Sequence, residues 1–176
     1  MKKGLLIILS GPSGVGKGTI RRYIFDKKAV ELYYSISMTT RKPRNLEVEG
    51  VDYYFVSHKT FEENLNNGNL LEHAYFVGNY YGTPKDKVEN LRNLGKNVFL
   101  EIEINGASQV LDKVKDDRVL SFFLMPPSID ELEMRIRSRR SEDEKTIQAR
   151  LDKGKSEIKM ADRYDHTIIN DDVSRA

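Results

Sequence analysis

Cysteine is absent from the 176-residue chain. That excludes a disulfide framework and any thiolate metal site, and it fits a reducing cytosol. A large excess of one charge is also missing, with Lys and Arg numbering 29 against 27 Asp and Glu. So close a balance gives no bulk field for nucleic acid or a membrane surface. Any anion site must come from local clustering of Arg and Lys. Histidine is rare, and His58, His73 and His166 have no metal-ligand spacing. No long hydrophobic run occurs. The first apolar stretch, residues 4–9, is far too short to span a bilayer and lacks a signal-peptide cleavage pattern. These absences predict a soluble, cytoplasmic protein that binds neither nucleic acid nor membrane. The length suggests one domain with a real core and leaves monomer and homodimer equally open.

What is present is an alternation of strand-like and helix-like segments. Leu5-Leu6-Ile7-Ile8-Leu9 is an unbroken apolar run, the pattern of a strand buried on both faces. A glycine-rich turn and a helix to about Lys28 follow. Further strands are predicted over 52–56, 70–77, 97–103, 119–125 and 166–170. Ser57 is placed to cap a helix carrying Phe61 and Leu65 and ending at Gly68. Pro84 is predicted at the first position of a helix that ends at Gly95. Ser128 and Glu131 form a capping-box pattern opening one charged helix, and a second is predicted over 143–161. The alternation argues an α/β fold with a parallel sheet, interrupted over about 37–81 by an inserted lobe.

Gly11-Pro12-Ser13-Gly14-Val15-Gly16-Lys17-Gly18-Thr19 follows the first strand and opens a helix. This is the G-x-x-x-x-G-K pattern in the context it requires. The glycines let backbone N–H groups converge on phosphate oxygens, the helix N-terminus adds partial positive charge, and Lys17 reaches the β- and γ-phosphates. The Ser/Thr that commonly follows the lysine is Gly18 here, with Thr19 next. A direct hydroxyl ligand to Mg²⁺ is thereby lost, and the ion is expected on phosphates and water.

The acceptor is read from a second constellation. Arg41 and Arg44 lie three apart around Pro43, so both guanidinium forks can face one phosphate, with Tyr53 and Tyr81 as hydroxyl donors. Taken alone, the same residues also read as a solvated basic turn with core tyrosines. Glu72 lies among apolar neighbours, where a carboxylate can accept from guanine N1–H and N2–H₂; the other reading is an exposed edge-strand acid. The segment Ser35 to Arg44 resembles the S-x-T-T-R-x-P-R signature of guanylate kinases. Glu47, Gly50, Asp52, Tyr53 and Phe55 resemble E-x-x-G-x-D-Y-x-F, and residues 78–83 resemble G-x-x-Y-G-[ST].

The likeness runs from Leu6 to about Asp172 and is of the bacterial type. It implies a P-loop NTPase fold with a parallel sheet core (1–36, 84–126 and 162–176), an inserted mixed β/α GMP-binding lobe (37–83) and a helical lid (127–161), all in one domain over 1–176. It also implies Mg²⁺-dependent transfer of the ATP γ-phosphoryl group to GMP, giving ADP and GDP, in purine nucleotide metabolism and GMP recycling. By the same resemblance Arg41, Arg44, Tyr53 and Tyr81 hold the GMP phosphate, and Ser37, Glu72, Thr83 and Glu103 bind the guanine.

Glu101 and Glu103 alternate with apolar residues, so a strand through both puts them on one face, at the ligand end of an open sheet. Glu101 is expected to hold a magnesium water and Glu103 to reach the acceptor; the family usually has Asp at the second position. On charge pattern alone, Arg135, Arg137, Arg139, Arg140 and Arg150 among glutamates read as a salt-bridged surface. The resemblance to the family's L-x-x-R-L-x-x-R-G…R-L lid reverses that, and makes Arg135, Arg139 and Arg150 partners of Lys17 in stabilising the moving phosphoryl group. Arg140 stands where the family usually has Gly. Asn170 resembles the adenine-contacting segment. No general base is needed, because the GMP phosphate is already anionic. Two other readings are a non-enzymatic interaction module and a P-loop kinase for another nucleotide. Such modules typically lose the phosphate loop or the lid arginines, and a different kinase leaves the 41–83 pattern unexplained.

Overall fold

A computed structural model describes residues 2–76, 78–138 and 143–176. In chain order the elements are β1 (Leu6–Ser10), α1 (Lys17–Lys27), β2 (Tyr33–Tyr34), β3 (Met38–Thr39), β4 (Tyr54–Phe55), α2 (His58–Asn66), β5 (Leu70–Phe76) and β6 (Asn79–Pro84). They continue with α3 (Lys85–Asn93), β7 (Val98–Glu101), α4 (Ile104–Lys113), β8 (Val119–Met125), α5 (Ile129–Arg137), α6 (Glu144–Ile158), a 3₁₀ turn (Ala161–Arg163) and β9 (His166–Ile169). A five-stranded sheet has the order β2-β7-β1-β8-β9, and a four-stranded sheet the order β4-β3-β6-β5. In the first, β2 runs parallel to β7 and β8 parallel to β9. In the second, β3 is parallel to β4 and antiparallel to β6.

The chain divides into two compact units. The first takes Met1–Leu6, Leu32–Leu100 and Asn105–Val119; the second takes Ile7–Glu31, Glu101–Ile104 and Leu120–Ala176. In the second, the apolar run of β1 buries Ile8 and Leu9, as an unalternating strand must. Its two charged helices, α5 and α6, enclose a cluster of Leu132, Ile136, Ile147 and Leu151. Ser128 caps α5 by accepting from Glu131 N–H at 3.1 Å, and Asp143 caps α6 by accepting from Thr146 N–H at 2.7 Å. The Glu131 carboxylate does not complete the capping box but receives Arg135 Nε at 2.8 Å.

The first unit holds the mixed sheet and α2, with Ser57 capping α2 as expected through Thr60 N–H at 3.0 Å. Pro84 departs from expectation. It ends β6 opposite Leu70 with ψ 119° and serves as the N-cap, so α3 starts at Lys85. The strand predicted over 97–103 stops at Glu101, and a helix not predicted, α4, begins three residues later.

Arg92 anchors this unit's polar interior. Its side chain is 0% exposed, and its guanidinium donates to Gly4 O at 3.1 Å, Glu89 at 3.1 Å and Asp116 at 2.8 Å. The Arg92 guanidinium first, then the Arg118 backbone N–H and Lys3, holds the Asp116 carboxyl at about 2. A carboxyl depressed in the folded state adds stability above its ordinary value and gives it back as pH falls toward the folded one. We therefore expect Asp116→Asn to flatten the acid side of a Tm-against-pH curve, between about pH 4.5 and pH 2. An unchanged slope there would show that Asp116 carries none of the acid sensitivity.

Candidate functional site

In the second unit the phosphate loop wraps from β1 into α1. Gly16 has φ +103°, and a Cβ there would lie 2.6 Å from Asn170 Nδ2. Only glycine meets both conditions without strain. Gly11 is similarly confined, its Cβ position being 2.4 Å from Leu124 O at φ +150°. Lys17 Nζ donates to Gly11 O at 2.7 Å and Pro12 O at 3.1 Å, so it lies folded into the loop it serves. Desolvation holds its pKa below the ordinary lysine value, against the pull of Glu101, Glu103 and Glu157 and with a small push from Lys153. This is the strand–loop–helix of a P-loop NTPase fold.

Several sequence-predicted residues gather around that loop. Arg150 donates to Ser13 Oγ at 2.8 Å. Arg135 spends its donors on Val15 O at 3.1 Å, Asn170 O at 2.9 Å and Glu131. Asn170 is buried and gives Nδ2–H to Val15 O at 2.8 Å. Glu101 ends β7, pairs with Arg21 at 3.1 Å, and has Oε1 3.6 Å from a Cβ position at Gly18. Arg139 lies outside the described residues. Glu103 is not on the strand face expected of it. With β7 ended at Glu101, the alternation that put both acids on one face no longer applies, and Glu103 sits in the short link to α4, 3.5 Å from Lys153. Arg137 is a structural clamp, bound to Glu133 at 2.7 Å and Glu144 at 2.6 Å.

The sequence reading missed Lys153 and Glu157. They are an i, i+4 pair at 3.5 Å on α6, and burial pushes the Glu157 carboxyl up. Their spacing from Arg150, at i+3 and i+7, is the signal that was available, since all three share one helix face.

In the first unit β3 is the organising strand. It pairs Met38 with Tyr54 and Gly82, and Thr39 with Phe55 and Tyr81. This register brings three separate motifs together: Ser37 to Arg41, Tyr53, and Tyr81 to Thr83. The Tyr53 and Tyr81 rings are 6.1 Å apart, and Arg41 Cζ lies 5.4 Å from the Tyr53 centroid. Arg44 is exposed.

Glu47, for which the sequence pattern implies no role, grips the Arg41 fork with both oxygens at 2.9 Å and accepts Arg44 N–H at 2.7 Å. Those bonds, Arg41's first, hold the Glu47 carboxyl at about 2. Arg41 Nε is buried with no hydrogen-bond partner among the described residues. Deeper on the same sheet, Glu72 is 5% exposed and accepts from Thr83 Oγ1 at 2.6 Å. It is therefore a buried acid and not an exposed edge residue.

A sequence model described as guanylate kinase matches residues 3–176. The chain belongs to the guanylate kinase family. It is 53% identical over 176 residues to the guanylate kinase of Mycoplasma capricolum subsp. capricolum, covering 100% of this chain and 59% of that one. It is 51% identical over 175 residues to that of Enterococcus faecalis, covering 99% of this chain and 85% of the relative. The chain thus spans about three fifths of the mycoplasmal relative's length. The crystal structure of guanylate kinase from Anaplasma phagocytophilum matches with a TM-score of 0.76 and 32% identity, over 98% of this chain and 79% of that one.

Proposed function

We propose that this protein is an ATP:GMP phosphotransferase, moving the ATP γ-phosphoryl group to GMP to give ADP and GDP. The observation that carries the reading is the mixed sheet of the first unit. One register aligns an Arg–Tyr–Tyr cluster suited to a phosphate with a buried Glu72–Thr83 pair suited to a base bearing adjacent N–H donors. Arg41, Arg44, Tyr53 and Tyr81 bind the GMP phosphate, and Ser37, Glu72 and Thr83 the guanine.

The donor side follows from the loop. Backbone N–H groups of residues 11–19 and the α1 N-terminus hold the ATP phosphates, and Asn170 borders the adenine. Lys17 exchanges its carbonyl partners for phosphate oxygens. Arg135, Arg139 and Arg150 stabilise the charge spread over the moving group. Among the described residues no three His, Cys, Asp or Glu side chains converge as a metal cage. Glu101 would hold Mg²⁺ through water, the ion arriving on the nucleotide. Held there, the ion would supply positive charge to the nucleotide's phosphates. The acceptor phosphate attacks as an anion, so no side chain need take its proton.

Among the described residues no helix is long and apolar enough to cross a membrane. We place the protein in the cytoplasm with ATP and GMP as its small-molecule partners. A coupled ADP-release assay across AMP, GMP, CMP, UMP and dTMP tests the reading. GMP is expected to lead in kcat/KM by about 100-fold or more. Equal turnover of any other monophosphate would sink it.

A further inference from the structure

We propose that Gly106 is a positioning residue for the base-reading carboxylate: by carrying no side chain, it lets the first turn of α4 press against Glu72 and set where that carboxylate points. The proposal rests on the reading that Glu72 selects guanine. A Cβ built on Gly106 would lie 2.5 Å from Glu72 Oε2, 3.1 Å from its Cδ and 3.4 Å from its Cγ. An added methyl therefore meets the carboxylate itself.

Glu72 has little room to yield. It is 5% exposed, and Oε1 is held at 2.6 Å by the hydroxyl of a fully buried Thr83. The strand on either side is fastened to the same helix. Lys113 Nζ donates to Leu71 O at 3.2 Å, while the Gln109 amide donates to His73 O at 2.8 Å and accepts from His73 N–H at 3.2 Å. Gly106, Gln109 and Lys113 fall at i, i+3 and i+7, on one helix face. With the β5 backbone pinned at both neighbours of Glu72, displacement falls on the side chain.

Glycine is otherwise a poor choice inside a helix, where alanine is favoured. The close approach of Glu72 accounts for its presence. A displaced carboxylate loses its two-point match to guanine N1–H and the 2-amino group. Hypoxanthine lacks the 2-amino group and has less to lose.

The test compares GMP and IMP as acceptors for the full chain and for Gly106→Ala. We expect kcat/KM for GMP to fall at least about tenfold, mostly through KM, and the GMP-to-IMP preference to shrink by a similar factor. KM for ATP should stay within about twofold, and Tm should fall by only a few degrees, because alanine is the better helix former and offsets part of the cost of moving a buried carboxylate. Placing Gly106→Ala on a Glu72→Gln background should cost nothing further, since the first acts only through the second. An unchanged GMP-to-IMP ratio overturns the proposal, as does a double variant whose losses multiply. Should the alanine variant melt early, adding Glu72→Asp, which withdraws the carboxylate by one methylene, is expected to restore the melt; no restoration also overturns it. If the unaltered protein does not phosphorylate GMP, the reading beneath has failed and the proposal with it. If it does, and Glu72→Gln weakens GMP while Gly106→Ala leaves GMP kinetics alone, only the role given to Gly106 is lost.

Discussion

Replacing Lys17 with alanine is expected to leave a folded protein that transfers almost no phosphate. The side chain is tucked against Gly11 O and Pro12 O, and its charge is held in a partly dry site at a cost that lowers its pKa. Removing it relieves that desolvation, so Tm should move by no more than about 5 °C. The rate is another matter. Charge on the moving phosphoryl group and its flanking oxygens is greatest in the transition state, and a preorganised cation there is worth more than in the ground state. A loss of about 10²- to 10³-fold in kcat, near 3–4 kcal/mol, with a much smaller change in ATP KM, is the expected result. Retention of more than about a tenth of kcat, a deficit under about 1.4 kcal/mol, would remove Lys17 from the mechanism.

Glu72→Gln should act on the other substrate. The amide keeps the volume and an acceptor for Thr83 but sets an N–H donor against a guanine N–H at a buried position. Leaving a buried polar group opposed in this way costs on the order of 1–3 kcal/mol. It should appear in kcat/KM for GMP with ATP KM unchanged. Steady-state kinetics with each substrate varied in turn separate the two. GMP parameters indistinguishable from those of the unaltered protein would mean that the buried acid is structural.

Much of this organisation was legible in the sequence because local chemistry and final structure agree. The unalternating apolar run 5–9 overlaps β1, whose Leu6, Ile8 and Leu9 are buried, glycines at 11, 14 and 16 all take positive φ, and Ser57, Ser128 and Asp143 sit where caps are needed. The α4 helix was not legible. Asn105 and Gly106 weaken its first turn, and what stabilises it is the burial of Ile104, Ala107 and Val110, a tertiary effect that overrides propensity. The two-residue strands β2 and β3 are too short to show a period, yet β3 assembles the acceptor cluster. At Glu103 alternation was extrapolated past the point where the strand ends. For Arg135 the charge pattern pointed to glutamate partners, and Glu131 is one, but not to the backbone carbonyls at Val15 and Asn170. Charge patterning along one helix carries no information about carbonyls supplied by distant loops.

Those carbonyls bear on how the protein is made. Asn170 Nδ2 is bonded to Val15 O across 155 positions of sequence. Its backbone carbonyl receives Arg135, and its amide shapes the space that keeps Gly16 a glycine. The phosphate loop is made 155 positions ahead of the side chain that fastens it, and over that interval the loop lacks its Asn170 anchor. Contacts of such separation form late, after most of the loop-closure entropy has been spent. The donor loop is therefore fully braced only once residue 170 has been made, and donor nucleotide cannot guide the folding of the preceding segment through a finished loop.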